Sequence, residues 1–223
     1  MATTLAFDVY GTLIDTTGVA VALQKHIGER AAAFAALWRE KQLEYSFRRG
    51  LMRRYDTFTV CTQHALEYAC SFFATELSEA DKAELMAAYR TLPAFPDVAT
   101  GLTELHATGL RMYAFSNGPA HDVNQLLQTA GIQKFFQDIV SVDEIKTFKP
   151  DPAVYEHFLQ RAGASSSDTW LISSNPFDVI GAMAVGMRTA WVQRSEKALF
   201  DPWGITPTVT IRDLSELVAA IQS

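Results

Sequence analysis

Short apolar runs recur along this chain with helical stretches between them. That alternation confines it to a parallel sheet with helices packed on its faces. The runs fall at 5–9, 110–116, 138–142, 169–173 and 189–192, with an edge run at 209–211. Helical spacing predicts helices near 98–108, 121–130, 152–162 and 176–185. Gly109, Gly131, Gly163 and Gly186 follow these four stretches, where a left-handed residue closes a helix. From Asp15 to Leu92 the alternation stops. Stretches 33–47, 58–73 and 80–89 instead carry apolar residues at helical spacing, as with Phe34, Leu37, Trp38 and Tyr45. A rigid Leu92-Pro93-Ala94-Phe95-Pro96 segment leads back to the sheet. The expected architecture is α/β, a doubly wound parallel sheet core built from 1–14 and 93–223. A helical cap of 15–92 is inserted after the first strand, over the carboxyl ends of the strands.

At 223 residues the chain is long enough for a full core, as one domain or a domain with an insertion. Its net charge of -6 argues against nucleic acid as a partner, since phosphate binding needs a basic face. An anionic substrate would have to be drawn in by a local positive cluster. No apolar run approaches the ~20 residues of a membrane span, and no basic segment leads into a secretory h-region. A cytoplasmic location is expected. Cys61 and Cys70 share one helical segment more than two turns apart, which prevents pairing and suits small buried residues in a reducing compartment. The histidines at 26, 64, 106, 121 and 157 show no metal-ligand spacing.

Four loops leave the strand ends with polar signatures. They are Asp8-Val9-Tyr10-Gly11-Thr12, Phe115-Ser116-Asn117-Gly118, Lys149-Pro150-Asp151-Pro152 and Ser173-Ser174-Asn175-Pro176-Phe177-Asp178. An aspartate at the exit of the first strand, with Gly11 to turn the chain, is a candidate nucleophile. Each signature also has a plainer reading. Asp8 could form a turn, Arg39 could be a charge on a solvated helix face, and Lys149 could be a loop lysine ahead of a helix capped by Asp151. Asn175 before Pro176 is a common helix start, and Asp178 would then be a first-turn acid.

In order and spacing the four loops resemble the motifs of the haloacid dehalogenase superfamily. Over essentially its whole length the chain looks closest to the L-2-haloacid dehalogenases of that superfamily. The segment Leu37-Trp38-Arg39-Glu40-Lys41-Gln42-Leu43-Glu44-Tyr45 resembles their cap. The resemblance implies a Rossmann-like core and hydrolysis of short (S)-2-haloacids to (R)-2-hydroxy acids. The reaction would invert C2 through an ester on Asp8, with no cofactor and no metal. Magnesium phosphatases of the superfamily carry a second aspartate where this chain has Tyr10. Asp8 and Asp178 with neutral neighbours make a poor site for a hard cation. A metal-dependent small-molecule phosphatase and a non-catalytic binding protein on the same scaffold stand as the alternatives.

The resemblance further implies roles residue by residue. Lys149 would orient Asp8, while Thr12 and Ser173 would hold its carboxylate. Ser116 and the main chain at Val9 and Tyr10 would take the substrate carboxylate. Arg39, Asn117 and Phe177 would receive the halide, and Asn175 and Asp178 would orient water. Tyr10, Leu43 and Phe58 would wall the substituent, and Tyr155 would also contact substrate. Phe177 stands where some relatives carry tryptophan, which leaves the halogen preference open. The expected partners are the 2-haloacid and its halide, with no nucleic acid and no membrane. The apolar helix 64–73 offers a homodimer face, although core packing accounts for it equally.

Overall fold

A computed structural model describes residues 3–222. Its sheet has six parallel strands: β1 (Thr4–Asp8), β2 (Arg111–Ser116), β3 (Asp138–Ser141), β4 (Thr169–Ser173), β5 (Arg188–Val192) and β6 (Val209–Ile211). The spatial order is β3-β2-β1-β4-β5-β6, so β1 lies between β2 and β4. Every residue of β1 is buried, as a strand covered on both faces must be. The chain winds outward from β1 through β2 and β3, then resumes on the other side with β4. Asp8 therefore ends the strand at which the winding direction reverses, where open α/β sheets bind ligands.

The helices of the described residues are α1 (Gly18–Ile27), α2 (Ala31–Leu51), α3 (Phe58–Phe72), α4 (Glu79–Ala88), α5 (Val98–Ala107), α6 (Ala120–Thr129), α7 (Pro152–Ala162), α8 (Pro176–Ala184) and α9 (Leu217–Gln222). The strands and α5 to α8 lie within a residue of their expected bounds. Asp151 caps α7 by accepting from the Ala153 amide, and Pro152 starts it, as the sequence predicts. Gly163 ends it with a φ of 57°.

Helices α1 and α9 are additional to the expected set. In α1, Val19, Leu23 and Ile27 do repeat at four-residue spacing, but Thr17 makes no side-chain cap and the start carries no local signal. α2 runs past its expected end to Leu51, with Arg48 and Arg49 in the last turn where cations suit the helix dipole.

Helices α1 to α4 fill the interval between Asp15 and Leu92 and pack on one another. The indole of Trp38, 0% exposed, donates to the Thr62 carbonyl at 2.8 Å and so ties α2 to α3. The interval opens and closes at one place. Ile14 and Ala94 form an antiparallel bridge, flanked by Asp15 N to Pro93 O at 2.8 Å and Phe95 N to Leu13 O at 3.0 Å. One apolar cluster runs from Leu5 and Phe7 in the sheet through Leu13 and Ile14 to Phe34 and Trp38. Continuous burial of this kind holds the helices over the strand ends.

Candidate active site

Asp8 is 7% exposed, with both carboxylate oxygens engaged. Oδ2 accepts from Thr12 Oγ1 at 2.7 Å, Asn175 Nδ2 at 2.8 Å and Ser173 Oγ at 3.4 Å. Oδ1 accepts from Lys149 Nζ at 3.2 Å. Gly11, with a φ of 85°, turns the chain so that Thr12 comes back beneath the carboxylate. Ser174 pins that turn. Its amide donates to Thr12 Oγ1 at 2.9 Å and its hydroxyl to the Gly11 carbonyl at 2.7 Å. Asn175 occupies the N-cap position of α8 without capping it, because its side-chain amide is directed at Asp8 and the Tyr10 carbonyl instead.

Lys149 is buried between two carboxylates. Its ammonium donates to Asp8, to Asp178 Oδ2 at 2.8 Å and to the Phe115 carbonyl at 3.0 Å, and lies 4.1 Å from the centre of the Phe115 ring. Asp178 is 0% exposed and also accepts from the Tyr155 hydroxyl at 2.9 Å. Burial, with the Asp8 charge adding to it, raises the Asp178 pKa from 3.8 to about 6, against the opposing pull of Lys149 and Tyr155. Gly181 makes this cluster fit, because a Cβ there would collide with the Tyr155 ring and hydroxyl.

Facing Asp8 from the helical layer are Arg39, Leu43 and Phe58. With Tyr10, Ser116, Asn117, Lys149, Asn175 and Phe177 they line one chamber, whose free space is only about 10 Å³. Arg39 is half-buried. Burial lowers the pKa of its guanidinium, with Tyr89, Asp8 and Tyr10 opposing. It donates to Gln42 Oε1 at 2.6 Å, and Gln42 donates to Thr62 Oγ1 at 2.5 Å. Asn117 Oδ1 accepts the Lys149 amide at 3.0 Å, which leaves its NH₂ group for the chamber. Ser116 Oγ accepts from the Gly118 amide at 3.0 Å and keeps its own proton to donate. Tyr10 packs beside Phe58 with ring centres 6.2 Å apart.

Two expected site residues are placed differently. Tyr155 does not line the chamber. Its ring is fully buried behind Asp178, because its position on α7 turns it toward α8. Asp178 is likewise sealed off from the chamber, so it reaches the reacting atoms only through Lys149. Val9 is 0% exposed and can offer only its main chain. Three other residues escaped the sequence reading: Gln42, which orients Arg39; Ser174, which pins the Asp8 turn; and Phe47, whose ring meets that of Phe177 edge-on at 5.0 Å. Gln42 carries a visible signal, a neutral polar residue that continues the four-residue stripe of Phe34 and Trp38 on α2. Phe47 has none beyond its apolar character.

The donor set does not fit a hard divalent cation. Asp8 is met by an ammonium and an amide nitrogen, Lys149 occupies the face of Asp178 turned to Asp8, and Tyr10 brings a phenol in place of a carboxylate. The arrangement instead presents a desolvated carboxylate to a small chamber closed by a guanidinium, an amide and an aromatic edge. That suits displacement of a leaving anion.

Comparison with known proteins agrees with this chemistry. Residues 2–186 match the model of the haloacid dehalogenase-like hydrolases. The chain is 37% identical to the (S)-2-haloacid dehalogenase H-109 of Pseudomonas putida, covering 96% of this chain and 95% of that one. It is 35% identical to the haloacetate dehalogenase H-2 of Moraxella sp. (strain B), over 97% and 96%. The L-2-haloacid dehalogenase of Xanthobacter autotrophicus, solved with chloropropionic acid covalently bound, superposes with a TM-score of 0.91. It is 30% identical and covers 100% of this chain and 99% of its own. The chain belongs to the haloacid dehalogenase-like hydrolases.

Proposed function

We propose that this protein is an (S)-2-haloacid dehalogenase, which hydrolyses short L-2-haloalkanoates to (R)-2-hydroxy acids through an aspartyl ester on Asp8. The observation that carries the reading is the Asp8 carboxylate. Oδ2 is tied by three donors, whereas Oδ1 has Lys149 alone, and Asp8 lines the same chamber as Arg39. Oδ1 attacks C2 from behind the carbon–halogen bond. The bond breaks, and the halide leaves into the cradle of Arg39, Asn117 and Phe177. Ser116 and the main chain at Val9 and Tyr10 hold the substrate carboxylate, while Tyr10, Leu43 and Phe58 fit its substituent. Water then adds to the Asp8 carbonyl carbon. One of its protons passes through Lys149 to Asp178, and the acyl carbon–oxygen bond of the ester breaks. The departing alkoxide takes the proton of the added hydroxyl to leave as the hydroxy acid, and Asp8 is restored as a carboxylate.

The relay needs Asp178 ionised, so turnover is expected to fall as the pH drops through about 6. A pH–rate profile of ester hydrolysis that stayed flat from neutrality well into the acid range would remove Asp178 from the relay. Stability has the opposite sign. A carboxyl whose folded pKa is raised opposes folding above about pH 6 and ceases to as the pH falls toward 3.8.

The same reading takes 15–92 as the cap, closed by the Ile14–Ala94 bridge. It takes the exposed Tyr68 and Phe72 of α3 as part of a homodimer face, and the two buried free thiols as suited to the cytoplasm. The decisive experiment measures halide release from separate (S)- and (R)-2-chloropropionate in EDTA, beside p-nitrophenyl phosphate hydrolysis with magnesium. Chloride from the (S) isomer alone, with (R)-lactate as product, is expected. Magnesium-dependent phosphate release without chloride would overturn the assignment in favour of a phosphatase.

A further inference from the structure

The chamber has about 10 Å³ of free space, so a haloacid enters only if a wall gives way. Most of its walls are held. Lys149 makes three hydrogen bonds, Asn175 two, and Arg39 is braced by Gln42. Phe177 differs, because its ring makes only packing contacts and forms part of a second, largely apolar cavity of about 530 Å³. That cavity is bordered by Phe47, Gly50, Arg53, Phe148 and Pro150, and shares only Lys149 and Phe177 with the chamber.

We propose that Phe177 is the door between this outer cavity and the reaction chamber. Phe47, packed edge-on against it from α2, is the positioning residue that sets how large a haloacid the enzyme accepts. This rests on the dehalogenase reading of the site and extends it to substrate size. Phe47 does not line the chamber, and its contact with Phe177 at 5.0 Å and 72° holds the ring across the opening. Behind Tyr10 and Phe58 the neighbouring cavity is only about 30 Å³, so those rings have little space to retreat into.

The outer cavity also suits an organic anion. Arg53 stands exposed on its border, and its guanidinium makes no ion pair among the described residues. The one carboxylate there, Asp151, is engaged by Thr147 and the Ala153 amide. An alkyl tail too long for the chamber would lie past Phe177 in this apolar space.

The test compares bromide release from (S)-2-bromopropionate and (S)-2-bromohexanoate by the wild-type enzyme, Phe47→Ala and Phe47→Leu. Freeing the door should raise kcat/KM for the longer acid relative to the shorter by on the order of tenfold in Phe47→Ala, the scale of one methylene in an apolar pocket, and by less in Phe47→Leu. A purely structural role would lower both substrates together and leave the ratio where it was. An unchanged or falling ratio in the variants overturns the proposal. So does loss of all turnover in a folded Phe47→Leu, which would put Phe47 in support of catalysis itself. If Phe47→Ala fails to fold, the ratio in Phe47→Leu decides. Absence of bromide from the wild-type enzyme with either acid would defeat the dehalogenase reading instead, which keeps the two failures apart.

Discussion

Asp8→Asn is expected to give a folded protein that releases no halide, with turnover reduced by at least about a thousandfold. The amide nearly matches the carboxylate in shape, and Thr12 and Asn175 remain beside it. It lacks the anionic oxygen that attacks C2. Mass spectrometry of the purified variant excludes deamidation back to aspartate. The companion result comes from a single turnover of the wild-type protein in H₂¹⁸O. The ester route places the label in the Asp8 carboxylate, because water attacks the aspartyl carbonyl and the first hydroxy acid carries the old Asp8 oxygen. Label in the first product alone would show direct attack of water on C2, and wild-type turnover by authentic Asp8→Asn would refute the covalent route.

Lys149→Met should remove activity and stability together. The ammonium is 1% exposed and lies between Asp8 and Asp178 at 3.2 and 2.8 Å. Its loss leaves two buried carboxylates without a counter-charge, a change that costs about 3–5 kcal/mol when one partner of a buried pair is removed. In a chain of this length that corresponds to a fall in Tm of roughly 10 °C. Thermal unfolding measures it directly. Adding Asp178→Asn to Lys149→Met removes one stranded charge and is expected to recover part of the Tm without recovering turnover. A Lys149→Met protein as stable as the wild type would show that the ammonium is not the counter-charge on which the two carboxylates depend.

Both results turn on residues that the sequence marks openly. Asp8 announces itself because Gly11 and Thr12 must follow for the chain to turn under a strand-end carboxylate. Lys149 does so because it precedes Pro150 and a capped, proline-led helix. These are local requirements of backbone geometry, and they survive in a linear reading. Tyr155 shows where such a reading ends. It lies one turn into α7, near enough to the site in sequence to look like a substrate contact. The rotation of that helix, together with the space left by Gly181 on α8, turns it toward Asp178. Asp178 has the same history. A first-turn acid after a strand is visible in the sequence, but its complete burial depends on α7 packing over it, and that burial makes it a partner of Lys149 in place of a direct ligand for water.

The linear pattern by itself determined the α/β class, the interruption by helices between Asp15 and Leu92, and the residue types placed at each strand end. These follow from hydrophobic spacing, glycine and proline chemistry and helix capping, all of which act over a few residues. Tertiary structure alone decided which of those side chains meet. Asp8 and Lys149 are 141 positions apart, and they touch because Asn117 and the Phe115 carbonyl, at the end of β2, hold Lys149 beside the end of β1. The bracing of Arg39 by Gln42, the burial of Asp178 and the seating of Phe47 against Phe177 arise when helices pack on the sheet and on each other. Helix phase and the space between layers set those contacts, and neither is a property of any short stretch of chain.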